Sequence, residues 1–238
     1  MIVMVTGVKG GSGKSTTAVN LAVMRARQGH TVLLYDTDKQ LSAAGWGEQR
    51  QADGLLPRIP FEQRYMQATD LREIQVKGRA MLADLNEKRQ HYETVIVDAS
   101  GADNPALRYA LTLADQVLIP VAPSQFDLWA FNKFHEILLQ VLPARSTETI
   151  PLVFASNVSP HDRDEDAQAT LADAYDGYRF LNVTLGQRKV FRHAIREGRG
   201  VVEMEYGGGR KRDPKACAEL RALYKAVFAE EYRDVCAQ

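Results

Sequence analysis

Short apolar segments recur along the chain, and they lack the strict alternation of apolar and polar residues that a half-exposed strand shows. Unbroken apolar runs of this length are typical of strands that are covered on both faces. The segments are MIVMVT (1–6), TVLLYD (31–36), TVIVDA (94–99), QVLIPV (116–121) and PLVFAS (151–156). Each ends at turn-forming or polar residues, so the pattern predicts buried strands.

Stretches with helical spacing of apolar residues separate these strands. We predict helices over 15–28, about 70–90, 104–114, 125–142, 162–176 and 214–234. In the last stretch the apolar side chains recur at intervals of three and four residues, at Leu220, Leu223, Tyr224, Val227 and Phe228. Because strands that alternate with helices form parallel βαβ units, we expect an α/β fold with a doubly wound, mainly parallel sheet flanked by helices.

Three further stretches complete the predicted organisation. The stretch 53–69 predicts an irregular connection with a short strand, 178–183 another short strand, and the glycines at 207–209 an exposed turn. A chain of 238 residues can bury one large core. Since no linker divides it, we expect a single domain over 1–238.

Composition adds few constraints. The 30 Lys and Arg residues balance the 30 Asp and Glu residues, so the net charge indicates no particular class of binding partner. Cys217 and Cys236 show neither metal-ligand spacing nor a disulfide pattern, which favours a reducing compartment. No apolar run reaches the roughly 18–20 residues that span a bilayer, and the N-terminus lacks a signal-peptide pattern. We therefore expect a cytoplasmic protein.

The segment GVKGGSGKST (7–16) follows the first predicted strand and opens the first predicted helix. Its glycines let backbone N–H groups approach an anion, and the helix N-terminus adds positive potential. Lys14 stands where a lysine reaches β- and γ-phosphates, and Ser15 where a hydroxyl binds Mg²⁺. The alternative is a glycine-rich turn without a ligand. The residues predicted to contact the nucleotide are Lys9, Gly10, Gly11, Ser12, Gly13, Lys14, Ser15 and Thr16.

The loop departs from the standard pattern G-x-x-x-x-G-K-[ST], because Val8 stands at its first position and Lys9 is an additional lysine. The form KGGSGKS resembles the deviant Walker A motif of the ParA/MinD family of P-loop ATPases. This resemblance implies a P-loop NTPase fold, ATP with Mg²⁺, and a sandwich homodimer that forms on ATP binding. It also implies that Lys9 reaches the nucleotide of the second subunit while Lys14 serves its own. The alternative is that Lys9 is a solvated loop lysine.

The segment VLLYDTDKQ (32–40) places two aspartates, Asp36 and Asp38, at the carboxyl end of a predicted strand. Ligands bind at this edge of open α/β sheets. The segment is similar to the family's D-x-D-P-Q, which implies that Asp38 orients the attacking water and that Asp36 lies near the water shell of the metal. Lys39 stands where the family has proline. The alternative is a pair of solvated carboxylates at a strand end.

Asp98 ends the apolar segment TVIVDASG (94–101) in the manner of a Walker B motif. Such a strand directs one carboxylate at the water shell of Mg²⁺. Gly101 would then give the following loop freedom to respond to the γ-phosphate. With the Ser15 hydroxyl and Asp36, Asp98 completes the predicted metal site.

Two further segments carry the resemblance. PVAPSQFDLWA (120–130) resembles the family's P-x-x-P-S-x-x-D-L-x-A, which implies that Phe126 and Asp127 lie near a dimer interface. The alternative is an ordinary strand–turn–helix junction with Ser124 as the N-cap. Asn157 matches by position a residue that contacts adenine in related folds.

The stretch 186–215 is strongly basic, with nine Lys and Arg residues against four Asp and Glu residues, a net charge of +5. A phosphate backbone is the natural partner of such a segment, and LGQRKVFRHAIREGRGVVE (185–203) resembles a family segment that contacts DNA. The alternative is a solvated basic face or internal ion pairs. The predicted DNA-contacting residues are Arg188, Arg192, Arg196, Arg210, Lys211, Arg212 and Lys215.

Together these features predict a ParA-like ATPase whose ATP-bound dimer binds DNA without sequence preference and positions DNA or another cargo. A ParB-like or other adaptor would stimulate slow hydrolysis and reset the cycle, and the protein would be associated with the nucleoid. The first strand begins at residue 2, so we expect the short ParA type without an operator-binding helix-turn-helix.

Alternative functions remain open at this point. One is a membrane-associated positioning ATPase of the MinD type, although the C-terminal stretch is too acidic for an anionic bilayer. Another is a conjugation accessory ATPase, which would share the same switch chemistry. A nitrogenase-like iron protein would need paired cysteines in the middle of the chain, and none are present there.

Overall fold

The computed structural model describes most of the chain. The described residues are 1–7, 9–67, 70–101, 103–122, 125–144, 150–159, 176–204 and 213–233, with the backbone alone for 125–130 and 142. The predicted helix over 162–176, the glycines at 207–209 and Ser124 lie outside these residues, apart from position 176.

A parallel sheet forms the centre of the molecule, and within the described residues it has seven strands in the order β3-β2-β4-β1-β5-β6-β7. Every neighbouring pair of strands is parallel. The strands are β1 Ile2–Val5, β2 Val32–Asp36, β3 Phe61–Gln63, β4 Thr94–Asp98, β5 Gln116–Val121, β6 Leu152–Val158 and β7 Arg179–Gly186. The expected α/β architecture is therefore confirmed.

Helices cover both faces of the sheet. The described helices are α1 Lys14–Arg27, α2 Ser42–Ala52, α3 Leu71–His91, α4 Pro105–Leu113, α5 Gln125–Val141, α6 Lys189–Arg196 and α7 Pro214–Phe228. Side-chain caps explain where three of them begin: Asp70 accepts from the N–H of Glu73, Asn104 from that of Leu107, and Asp213 from that of Ala216.

The unbroken apolar runs of the strands have a simple physical origin. In β1, Val3 and Val5 pack into a cluster that also contains residues of α1, α6 and α7. Ile2 and Met4 point to the opposite face and join residues of α3, α4 and α5. Because successive side chains point to opposite faces and both faces are covered, every position in the strand is apolar.

The structure adds two helices that the sequence analysis does not predict, α2 and α6. It also ends the last helix at Phe228 rather than near residue 234, because Ala229 adopts a left-handed conformation with φ of 55°. Gly47 explains why α2 is hard to recognise: a Cβ there would lie 2.5 Å from the Phe61 ring, so close packing on β3 selects a poor helix former.

Candidate nucleotide-binding site

The loop between β1 and α1 has a backbone that only glycine adopts without strain. Gly11 and Gly13 have φ of 85° and 93°, in the left-handed region. A Cβ on Gly13 would also lie 2.6 Å from the Ser156 hydroxyl, and one on Gly101 would lie 2.3 Å from the Gly7 carbonyl oxygen. The loop after β4 therefore packs directly on this phosphate-binding loop, which explains Gly101 by close contact.

Lys14 is turned into this loop. The residue is only 7% exposed, and its ammonium donates a hydrogen bond of 2.8 Å to the Lys9 carbonyl oxygen. Burial lowers the pKa of Lys14, and the carboxylates of Asp98 and Asp38 partly oppose that shift. The ammonium therefore lies where positive charge is poorly solvated, so an incoming phosphate would be a favourable partner for it.

Lys9 takes the opposite orientation. The residue is exposed, while its carbonyl oxygen accepts from Lys14 and, at 3.3 Å, from the Ser12 hydroxyl. Exposure is compatible with a reach toward a second subunit. That role for Lys9 remains a prediction.

Asp98 is completely buried at the end of β4, and neither of its carboxylate oxygens accepts a well-aligned hydrogen bond. Burial raises the pKa of Asp98 to about 8, although the nearby Ser15 hydroxyl and Lys14 ammonium act in the opposite direction. A buried, unsatisfied carboxylate beside a hydroxyl fits the hydrated Mg²⁺ of a nucleotide site, which takes few ligands from the protein. Among the described residues, no group of three or more Asp, Glu, His and Cys side chains is arranged to hold a metal ion by itself.

Asp36 has a structural task besides any role near a metal. It is fully buried and lies opposite Asp98 in the register of β2 and β4. Its two oxygens accept from the N–H groups of Asp38 at 3.0 Å and Ala44 at 2.9 Å. Since Leu41 offers no side-chain cap to α2, Asp36 satisfies that helix end from the neighbouring strand.

Asp38 is half-buried and accepts from the Gln40 N–H at 2.9 Å. The N–H of Leu41 also bonds the Asp38 carbonyl at 3.0 Å, so Lys39 is accommodated within a closed turn. The structure thus brings Asp36 beside Asp98 at the ends of neighbouring strands, and the carboxylates of Asp98 and Asp38 lie close enough to Lys14 to affect its pKa. The metal and water-activating roles themselves stay predictions.

A pocket opens beside the phosphate-binding loop. Gly11, Thr16 and Thr17 form one wall, and Asn157 forms part of the other. Asn157 is exposed in an otherwise buried strand and has φ of 57°, so its amide is presented to this space. The structure therefore places Asn157 in the same pocket as the loop residue Gly11, while its contact with adenine stays a prediction.

The turn after β7 and the helix α6 close the pocket. Gly186, Gln187, Arg188, Phe191 and Arg192 line it. The sequence analysis predicts that Arg188 and Arg192 contact DNA. In the structure both residues also line the nucleotide pocket.

The basic stretch becomes an amphipathic helix in the structure. Val190, Phe191 and Ala194 of α6 are buried, whereas the opposite face is exposed and basic. That face carries Lys189, Arg192, His193 and Arg196. Lys189 and His193 are additions to the sequence-predicted set, and helical spacing could have found both once α6 was recognised.

The other residues that are predicted to contact DNA lie in different surroundings. Arg188 is ion-paired with Glu219, and Lys215 is exposed at the start of α7. Arg210, Lys211 and Arg212 lie outside the described residues, as do the side chains of Phe126 and Asp127. None of these positions tests DNA contact directly.

Comparisons with known proteins agree with the fold and the loop. A protein-family model described as ATPase MipZ matches residues 1–147. Maintenance of carboxysome distribution protein A of Gloeobacter kilaueensis is 30% identical over 236 residues, covering 98% of this chain and 94% of that protein. Protein ParA of Rhizobium radiobacter is 25% identical over 228 residues, covering 95% and 96%.

Two solved structures show the same fold at low sequence identity. Apo McdA of Cyanthece matches with a TM-score of 0.72 at 18% identity, covering 94% of this chain and 98% of that one. MinD of Aquifex aeolicus matches with a TM-score of 0.64 at 16% identity, covering 98% of each chain.

Fold and loop together define a P-loop ATPase of the ParA/MinD type. Within that class the chain belongs to the MipZ/ParA family, related to carboxysome-positioning and partition ATPases, and it uses ATP with Mg²⁺. Among the described residues, no helix is long and apolar enough to span a membrane.

Proposed function

We propose that this ATPase positions a cargo by ATP-dependent, non-specific binding to DNA, and that the exposed face of α6 makes the DNA contact. ATP binding would join two copies into a sandwich dimer, and an adaptor of the ParB type would stimulate hydrolysis and release. Relatives named for partition and for carboxysome distribution support both DNA and protein assemblies as cargo.

The observation that carries the proposal is the position of the basic face of α6, formed by Lys189, Arg192, His193 and Arg196. Arg192 belongs to this face and also lines the nucleotide pocket. Exposed Arg and Lys side chains supply the sequence-independent part of DNA affinity. Because the same helix borders both the pocket and the solvent, nucleotide binding and DNA binding can influence each other.

The residues of the phosphate-binding loop and of the adjacent strand ends would divide the ATPase chemistry between them. Lys14 would hold the β- and γ-phosphates, and Asp38 would orient the attacking water. Ser15 and Asp98 would hold Mg²⁺, which when bound neutralises phosphate charge. Lys9 of the second subunit would add positive charge only after assembly, as an arginine finger does when supplied in trans.

The test compares the triple variant Lys189→Glu, Arg192→Glu, Arg196→Glu with the wild type for binding to random-sequence DNA, with ATP present, over a range of salt concentrations. We expect weaker binding to every sequence and a salt slope reduced by about three, one for each lost phosphate contact. Nucleotide affinity is measured in parallel, because Arg192 also lines the pocket.

A matched control reverses two exposed arginines of α3, Arg72→Glu and Arg79→Glu, on the opposite face of the sheet. This control should bind DNA with nearly wild-type affinity. The proposal fails if the α6 variant loads ATP and binds DNA as the wild type does. It also fails if ATP-loaded wild-type protein sediments with anionic liposomes but ignores DNA, which would support the MinD-type alternative.

A further inference from the structure

The turn at residues 186–188 is held in place by the last helix rather than by its own strand alone. Glu219 of α7 accepts from the Gly186 N–H at 3.1 Å and from the Arg188 Nε at 3.1 Å. On the other side, the Gln187 N–H donates to the Val158 carbonyl at 2.7 Å. One carboxylate therefore fixes both ends of a three-residue turn.

Arg188 is committed to this arrangement. Its guanidinium pairs with Glu219 and lies 4.0 Å from a carboxylate oxygen of Asp213, the residue that caps α7. It also folds back over its own turn, so that a Cβ on Gly186 would lie 3.3 Å from its nitrogens. With two carboxylates beside it, Arg188 contributes little net positive charge to the surface, so it is a weak candidate for a DNA contact.

The turn matters for the nucleotide because it forms the wall of the pocket that faces the phosphate-binding loop. Gly186, Gln187 and Arg188 line this wall, and Asn157 lies beside it. The Gln187 side chain is exposed there. An amide carries both a donor and an acceptor, so the amides of Gln187 and Asn157 can form hydrogen bonds with the edge of a purine base. These bonds distinguish one base from another only if the backbone of both residues is held in place.

We propose that Glu219 is a positioning residue that holds the 186–188 turn and thereby sets the affinity and selectivity for the base of the nucleotide. This inference rests on the placement of the base against Asn157. It places Arg188 at the nucleotide pocket rather than at a DNA surface. It also makes α7 a support of the pocket wall, since Glu219 holds the turn although no residue of α7 lines the pocket.

The experiment measures binding of ATP, ADP, GTP and inorganic tripolyphosphate to the wild type and to Glu219→Gln. Tripolyphosphate has the phosphates but no base, so it reports on the loop alone. We expect the variant to bind ATP and ADP about tenfold more weakly, because binding would then have to order a turn that a charged hydrogen bond already holds in the wild type. Its affinity for tripolyphosphate and its turnover at saturating ATP should stay at wild-type values, while the preference for ATP over GTP should fall.

Two companion variants make the result specific. Glu219→Asp keeps the charge and should restore part of the ATP affinity. Glu231→Gln makes the same chemical change at an exposed carboxylate just beyond α7, where Glu231 pairs with Lys225, and it should bind all four ligands as the wild type does.

Three outcomes would overturn the proposal. The first is unchanged ATP affinity in Glu219→Gln. The second is an equal loss for ATP and tripolyphosphate, which would make Glu219 a general support of the fold. The third is a wild-type protein that binds ATP no more tightly than tripolyphosphate, because the base would then contribute nothing. None of these measurements involves DNA, so they leave the test of α6 independent.

Discussion

At the scale of single residues, the two lysines of the phosphate-binding loop have opposite environments. Lys14 is buried and donates to the Lys9 carbonyl, whereas Lys9 itself is exposed. Although these lysines are only five positions apart, one ammonium is therefore held inside the phosphate-binding loop while the other residue stays at the surface. This asymmetry is compatible with the proposed site shared between two subunits.

Lys14→Ala and Lys9→Ala should accordingly fail at different steps. We expect Lys14→Ala to lose ATP binding, because it removes the ammonium that would meet the β- and γ-phosphates. Lys9→Ala should still bind ATP but lose dimer-dependent turnover. Fluorescent-nucleotide titration and phosphate release measure the two steps. Normal hydrolysis by Lys9→Ala would remove the role in trans.

Variants of Asp36 and Asp38 should also lose different properties, although the two residues are only two positions apart. Asp36→Ala leaves the N–H groups of Asp38 and Ala44 without their acceptor, and a lost buried acceptor costs about 1–3 kcal/mol. Asp38→Ala should keep nearly wild-type stability and bind ATP, but lose turnover. Urea unfolding and ATPase assays distinguish them, and equal stability of the two variants would contradict the capping role of Asp36.

At the scale of elements, α2 links the end of β2, where Asp36 and Asp38 lie, to the segment that follows α6. Asp36 caps its start, and near its end Arg50 makes a buried ion pair with Glu203, with Nη2 and Oε1 2.9 Å apart. Arg50 also donates to the carbonyls of Gly198 and Pro57. The Trp46 indole donates to the Arg199 carbonyl, so two turns of α2 hold this segment.

Breaking this buried pair should be costly. Because either single change leaves an uncompensated buried charge, Arg50→Met or Glu203→Leu should destabilise the protein by about 3–5 kcal/mol. The double variant should recover a large part of that loss, since two apolar side chains leave no unpaired charge. A double-mutant cycle by urea unfolding measures this coupling, and additive losses would show that the pair has no coupling energy.

The same elements show what the sequence can and cannot predict. The strands and most helices follow from local apolar patterns, and Lys14 and Asp98 follow from motifs a few residues long. The task of Glu219 cannot be found in this way, because its partner Arg188 is 31 positions distant. Arg50 and Glu203 are 153 positions apart. Such pairs depend on the three-dimensional fold and leave no local pattern.

At the scale of the whole molecule, the order of the strands brings the segments of the candidate site to one edge of the sheet. β1 lies at the centre, between β4 and β5, so the phosphate-binding loop that follows it meets the carboxyl ends of several strands. β6 and β7 carry Asn157 and the 186–188 turn to the same edge. The helix α6 follows this turn directly, so a basic helix lies at the border of the pocket.

We propose above all that ATP controls both assembly and DNA binding. The most direct measurement is molar mass by light scattering together with random-sequence DNA binding, in one preparation, with ATP, with ADP and without nucleotide. We predict a dimer that binds DNA with ATP, and a monomer with weak DNA binding in the other two states. A monomer in all three states with one unchanging DNA affinity would contradict the account.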